Sequence, residues 1–175
     1  MKIPVTTFEI KAAFCEIDDR ASFLQKIQRV MIDFETHIIC FDAEKMSGIN
    51  HVRSAVVLAV RSFDQGNPIS NSVEMEALLY ASGSRQTSIG ASFGIHKGKN
   101  RLYISCFPIR DGMWEALCPL AHFCECENTW EHIDQQKRKK LMDLFVITEE
   151  ELATTVNQDL KELILERVAL LNVSR

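Results

Sequence analysis

A chain of 175 residues with 46% apolar and 25% charged side chains has the composition of a globular protein and the length of one domain. Such a chain can bury about 70% of its unfolded surface without covalent or metal staples. Its net charge of −4 argues against a protein that coats nucleic acid with a broad basic surface. No apolar run approaches the roughly 18 residues of a membrane span, and the charged N-terminus lacks the apolar segment of a secretion signal. These features are read as those of a cytoplasmic protein. Its six cysteines, Cys15, Cys40, Cys106, Cys118, Cys124 and Cys126, then act as small buried hydrophobes.

Residues 8–17 are rich in strand formers and predict a first strand. Phe23, Leu24, Ile27, Val30 and Met31 fall at helical spacing and predict a helix over 21–34. The apolar run 37–41 predicts a second strand. A helix over 50–63 follows, with the stripe Val52, Ala55, Val56, Ala59, Val60 and Phe63. Ser72 is placed to cap the next helix, with Glu74 and Glu76 in its first turn, and Gly83 to end it in a left-handed conformation. A short helix is expected over 87–93, a turn at 98–100 and a strand over 102–107. Asp111 is read as the cap of a helix reaching Leu117. A short strand at 123–125 and a polar helix at 130–141 come next. Thr148 and Glu151 form a capping-box pattern ahead of a long C-terminal helix. The expected architecture is a single mixed α/β (α+β) domain spanning 1–175, a small central sheet surrounded by several helices.

The sequence offers few chemical motifs. His122, Cys124 and Cys126 are spaced one residue apart with no second ligand pair, which suits a strand better than a zinc site. The glycines at 83, 90 and 94 match neither a phosphate loop nor a dinucleotide fingerprint. No metal and no cofactor is expected. The basic run 137–140 reads as a solvated helix face or a contact for an anionic partner. A more distinctive feature is the window 77–110. It holds Arg85, Lys97, Lys99, Arg101 and Arg110 and not one acid, so the remainder of the chain sums to −9. Within it, Arg85 and Gln86 follow the Gly83 stop among Ser82, Ser84, Thr87 and Ser88. Arginine matches phosphate, while amide and hydroxyl groups can contact bases or ribose. The same residues also make an ordinary polar turn between helices.

The segment 67–95, NPISNSVEMEALLYASGSRQTSIGASFGI, resembles the signature region of the tRNA-recruiting subunit of the KEOPS complex. The upstream stretch 41–63, FDAEKMSGINHVRSAVVLAVRSF, is similar to the same family in Phe41-Asp42-Ala43, His51 and Ala55. The resemblance extends over most of the chain in element order and departs at 111–131, which is longer and cysteine-rich here. It implies a non-catalytic subunit of a complex that makes N6-threonylcarbamoyladenosine in tRNA. Such a subunit binds the single-stranded 3′ CCA end of tRNA, docks on a small kinase/ATPase subunit, and meets the other KEOPS subunits indirectly. The expected RNA contacts are Ser82, Gly83, Ser84, Arg85 and Gln86, with Lys97, Lys99 and Arg101 as supporting charges. The expected kinase contacts are on the C-terminal helix at Leu163, Ile164, Val168 and Leu171, which equally suit a core helix. The competing readings are a regulator that binds the kinase subunit without RNA, and a small enzyme using a cysteine or histidine.

Overall fold

The computed structural model describes residues 7–173. Four antiparallel strands, β1 (Glu9–Ile17), β2 (His37–Asp42), β3 (Gly98–Phe107) and β4 (His122–Cys124), form one sheet in the order β2-β3-β1-β4. Side chains alternate across it, as the pleat requires. Ala12, Ile39, Phe41, Tyr103 and Phe107 face one side, and Ala13, Ile38, Leu102, Ile104 and Cys106 face the other. Both faces are apolar, so both must be covered.

Two helices cover the second face: α1 (Arg20–Phe34), through Phe23 and Ile27, and α5 (Met113–Leu117), through Met113 and Leu117. The larger first face packs against α2 (Ile49–Asp64), α3 (Val73–Ser82), α7 (Gln135–Phe145) and α9 (Leu160–Val173). Short helices α4 (Thr87–Ala91), α6 (Asn128–Glu131) and α8 (Glu149–Ala153) complete the connections. The expected mixed α/β architecture, with a small central sheet and a long C-terminal helix, is what the chain adopts. No helix among the described residues is long and apolar enough to cross a membrane.

Local details depart from the sequence reading in four places. Residues 98–100 belong to β3 instead of forming a turn. Gly98 pairs with Ile17 at φ 96°. The Asn100 side chain ties back to the His96 amide and to the His96 and Gly98 carbonyls, so turn chemistry is satisfied while the backbone stays in the ladder. The cap of α5 is Gly112 at φ 80°, and Asp111 plays no capping part. The helix expected over 130–141 is broken. Trp130 is buried against Tyr103 and Phe14, and Asp134 starts a new helix by accepting from the Lys137 amide at 2.7 Å. The capping box at Thr148 is only half formed, with Thr148 accepting from the Glu151 amide while the Glu151 carboxylate turns to Arg167. The cysteines are also less uniform than expected, since Cys118 and Cys126 are exposed.

Candidate functional site

The loop after α3 is held from both ends. At the start of the helix, Ser72 accepts from the Met75 amide at 3.1 Å. The Glu76 carboxylate, fully buried, accepts from the Ser62 and Ser70 hydroxyls and from the Ile69 and Ser70 amides at 2.7–3.0 Å. Those bonds fix the proline-containing turn before α3. At the far end, Gly83 takes the left-handed conformation (φ 60°). The Gly83 amide then reaches Tyr80 O at 3.1 Å and the Ser84 amide reaches Leu79 O at 3.3 Å. This paired arrangement satisfies carbonyls that a helix end otherwise leaves open.

Three neighbours lock this helix end in place. Buried His51, on the first turn of α2, accepts from the Ser47 amide at Nδ1 (3.1 Å), so its proton sits on Nε2, which donates to Ala81 O at 2.9 Å. Burial pushes the His51 pKa down to about 4; Lys137 adds to this and the bond to Ala81 opposes it. The imidazole packs edge-on against Phe145 of α7, 5.7 Å between centroids. Phe145 and Arg167 both approach within 3.7 Å of where a Gly83 Cβ would stand. Arg167 is itself fixed by the Glu151 carboxylate at 2.6 and 2.8 Å and by Phe145 O at 3.4 Å.

The chain then turns outward. Arg85, Gln86, Thr87 and Ser88 are exposed and Ser84 half-exposed. Ser84 Oγ accepts from the Gln86 amide at 3.2 Å. The Gln86 carbonyl accepts the Ile89 and Gly90 amides at 3.0 Å and opens α4. Helix α4 lies hard against α3 because Gly90 has no Cβ; one built there would stand 2.9 Å from Leu79 Cδ2. Ser82 belongs to a different environment. It is buried and its hydroxyl donates to Leu79 O at 2.9 Å, so its side chain is spent on its own helix instead of facing a ligand. Gly83 and Ser84 lie at the surface margin, and Arg85 and Gln86 form the exposed tip.

The three supporting charges differ in their surroundings. Arg101 is half-buried and engaged elsewhere: it pairs with Glu44 at 3.1 Å, donates to Thr129 O at 3.3 Å and covers the Trp130 ring at 4.1 Å. Lys97 and Lys99 are exposed at the entry to β3, Lys99 opposite Glu16 in the ladder. One lysine from outside the window, Lys45, reaches the end of α4. Lys45 donates to Ser92 O at 2.5 Å and lies over the Phe93 ring, which abuts Phe145. Its pKa is lowered, first by burial and further by nearby Lys140, with Asp42 opposing. The basic run is divided in function. Lys137 is buried and donates to Ala43 O at 2.9 Å, Arg138 forms a forked pair with Glu149 at 2.7 Å, and only Lys139 and Lys140 face outward.

The C-terminal helix also separates into two faces. Leu163, Ile164, Val168 and Leu171 are buried in the main core, so they hold α9 to the domain and cannot be the surface a partner meets. The outward apolar positions are Leu170 and Val173, 51% and 75% exposed.

No group of three His, Cys, Asp or Glu side chains among the described residues is arranged to hold a metal ion. The sequence marks His51 only through the family resemblance and not as the anchor of the α3 end, and Lys45, three residues beyond the end of β2, carries no local signal.

A family model described as kinase binding protein CGI-121 matches residues 14–172. Comparison with individual curated proteins gives no match. A match over nearly the whole length places the chain plainly in the CGI-121 family of kinase binding proteins, the family of the KEOPS small subunit.

Proposed function

We propose that this chain is a non-catalytic cytoplasmic subunit that docks on the KEOPS kinase/ATPase subunit and holds the 3′ CCA end of tRNA, supporting threonylcarbamoyladenosine formation. The observation that carries the RNA half is the exposed pair Arg85–Gln86 on a backbone fixed by the Gly83 cap, by His51 and by the packing of α4. Unpaired RNA is recognised by a few cationic, amide and hydroxyl contacts on a rigid support, which an acidic protein can supply locally. Arg85 takes a phosphate, and Gln86 and Ser84 take base or sugar edges. Lys45, at the end of α4, adds positive potential there, Lys140 acts on Lys45, and Lys97 and Lys99 are exposed supporting charges. For the kinase half, family membership supports the partner, and the outward positions Leu170 and Val173 offer it apolar contact.

The test is binding of intact tRNA and of the same tRNA trimmed of its CCA end, with salt varied. The intact form should bind more tightly at low salt and lose most affinity on trimming. Equal affinity for the two forms overturns the RNA half. Kinase-subunit binding without any tRNA binding leaves a purely protein-directed regulator.

A further inference from the structure

The run His122-Phe123-Cys124-Glu125-Cys126 has no part in the function proposed above. β4 carries its first three residues, with Phe14 of β1 opposite His122 and Ala12 opposite Cys124. Residues directly opposite share a face of the sheet, so Cys124 projects beside Ala12 and packs against the main core. The ladder stops there. The Glu127 amide bonds the Glu125 carbonyl at 2.9 Å, a tight turn centred on Cys126. A continuing strand would carry Cys126 along to Ile10. The turn instead brings its thiol to the backbone amide of Ala12, the residue facing Cys124. Both cysteines consequently line one cavity of about 410 Å³, with Ile10, Ala12 and Ile49. Cys126 is exposed and Cys124 half-buried, so the pair is reached from solvent and backed by protein.

Two thiols at one spot are a set of soft ligands. Burial raises both above the ordinary thiol value; Glu127 adds to this at Cys124, and the Cys124 thiol and Glu131 add to it at Cys126. Arg101 opposes the rise at Cys124 and the Ala12 amide opposes it at Cys126. At neutral pH both groups are therefore protonated. A cation that displaces the protons gains an anionic pair with a guanidinium on one side and an amide on the other. We propose that Cys124 and Cys126 bind one Cu(I) ion as a two-thiolate site.

The donor set selects that ion. Magnesium and calcium take oxygen ligands. Structural zinc is closed by four ligands, whereas no three His, Cys, Asp or Glu side chains among the described residues are arranged to hold a metal. His122, opposite Phe14, lies further along β4 and stays outside the pair. Cu(I) is a closed-shell ion that favours thiolates and is satisfied by two of them in a near-linear arrangement. Binding joins one Cu(I) to two thiols, gives a bis-thiolate of single negative charge and releases both protons to solvent. The copper keeps its oxidation state. The negative charge faces Arg101, which lies over the Trp130 ring at 4.1 Å. The opposing Glu131 carboxylate is partly neutralised by Lys161 Nζ at 2.9 Å.

The experiment titrates the full chain, reduced with a phosphine and freed of metal, with Cu(I) in competition with the chromogenic chelator bicinchoninate. X-ray absorption at the copper edge then counts the sulfur neighbours. One Cu(I) per chain with two sulfur neighbours is the expected result. Cys124→Ser and Cys126→Ser should each weaken binding by about a hundredfold or more at an unchanged thermal midpoint. Cys118→Ser, whose thiol is turned to Trp114 O, and His122→Ala should each change it by less than about threefold. A chain that does not compete for Cu(I) overturns the inference. So does full affinity in either of the two cysteine variants. Three or more sulfur neighbours, or a loss on His122→Ala as large as that of the cysteine variants, replaces the pair by a different ligand set and overturns it as well.

Discussion

His51 Nε2 donates to the carbonyl oxygen of Ala81 at 2.9 Å, joining the first turn of α2 to the last turn of α3. One residue further lies Ser82, and then the left-handed Gly83 from which the exposed Arg85–Gln86 tip departs. A buried neutral imidazole therefore sets the backbone position of the candidate RNA site without touching a ligand.

That placement makes stability depend on pH. The folded pKa of His51, pushed down to about 4, lies below the ordinary value near 6.5. An unfolded chain thus takes up a proton that the folded chain refuses. The contribution is complete above pH 6.5 and is lost progressively as pH falls toward 4, to a limit of about 3 kcal/mol. Urea unfolding at stepped pH should show this decline, and His51→Gln should flatten it by nearly one proton while lowering stability at pH 7. An unchanged slope in the variant shows that other groups carry the acid sensitivity.

Gly48 and Glu131 are coupled through the start of α2. Gly48 has φ 143°, and a Cβ there would stand 2.2 Å from Glu131 Oε2. Its absence lets that carboxylate accept from the Ile49 amide at 2.7 Å and from Lys161 Nζ at 2.9 Å. Gly48→Ala is expected to cost roughly 2–4 kcal/mol, from backbone strain and displacement of the carboxylate. In a Glu131→Ala background the collision is gone and the cost should fall by about 1 kcal/mol or more. Additive losses in a double-mutant cycle measured by chemical denaturation contradict the coupling.

The two faces of α9 should respond differently to substitution. Ile164 is fully buried, so Ile164→Ala removes core volume and should cost about 2–5 kcal/mol. Leu170→Ala, at an exposed position, should change stability by less than about 1 kcal/mol. Leu170→Asp should nevertheless weaken binding to the kinase subunit by about tenfold. Calorimetric binding at an unchanged thermal midpoint checks this, and unaltered affinity moves the kinase surface off α9.

What was legible in the sequence follows the range of the forces involved. Ser72 and Gly83 were legible because caps act over three or four residues. The stripe of α2 was legible because its period is local. Glu76 looked like a helix-dipole residue, since its four hydrogen-bonding groups come from a turn and a helix whose approach only the fold creates. Arg101 looked available because its charge was visible and Glu44, Thr129 and Trp130 were distant in sequence. Apolarity marked Leu163, Ile164, Val168 and Leu171 equally for core and partner, and burial decided for the core. For the same reason the acid-free window marks Arg85 by its charge and passes over Lys45, whose proximity to α4 depends on β2 delivering it there.

The proposed RNA site divides into contacts that would read and charges that would attract, and salt separates them. Arg85→Ala with Gln86→Ala removes the exposed tip while the Gly83 cap and the His51 bond remain, so the thermal midpoint should stay nearly constant and tRNA affinity should fall by about tenfold or more. Lys140→Ala removes one outward charge near Lys45 without touching the tip. Its loss should be smaller. For a single strand, each phosphate neutralised contributes about 0.7 to the slope of log affinity against log salt. Lys140→Ala should therefore reduce that slope by a little under one and leave the preference for the CCA end intact. The tip variant should instead lose that preference. If Lys140→Ala abolishes the preference and the tip variant keeps it, the reading surface lies on α7 and not at Arg85–Gln86.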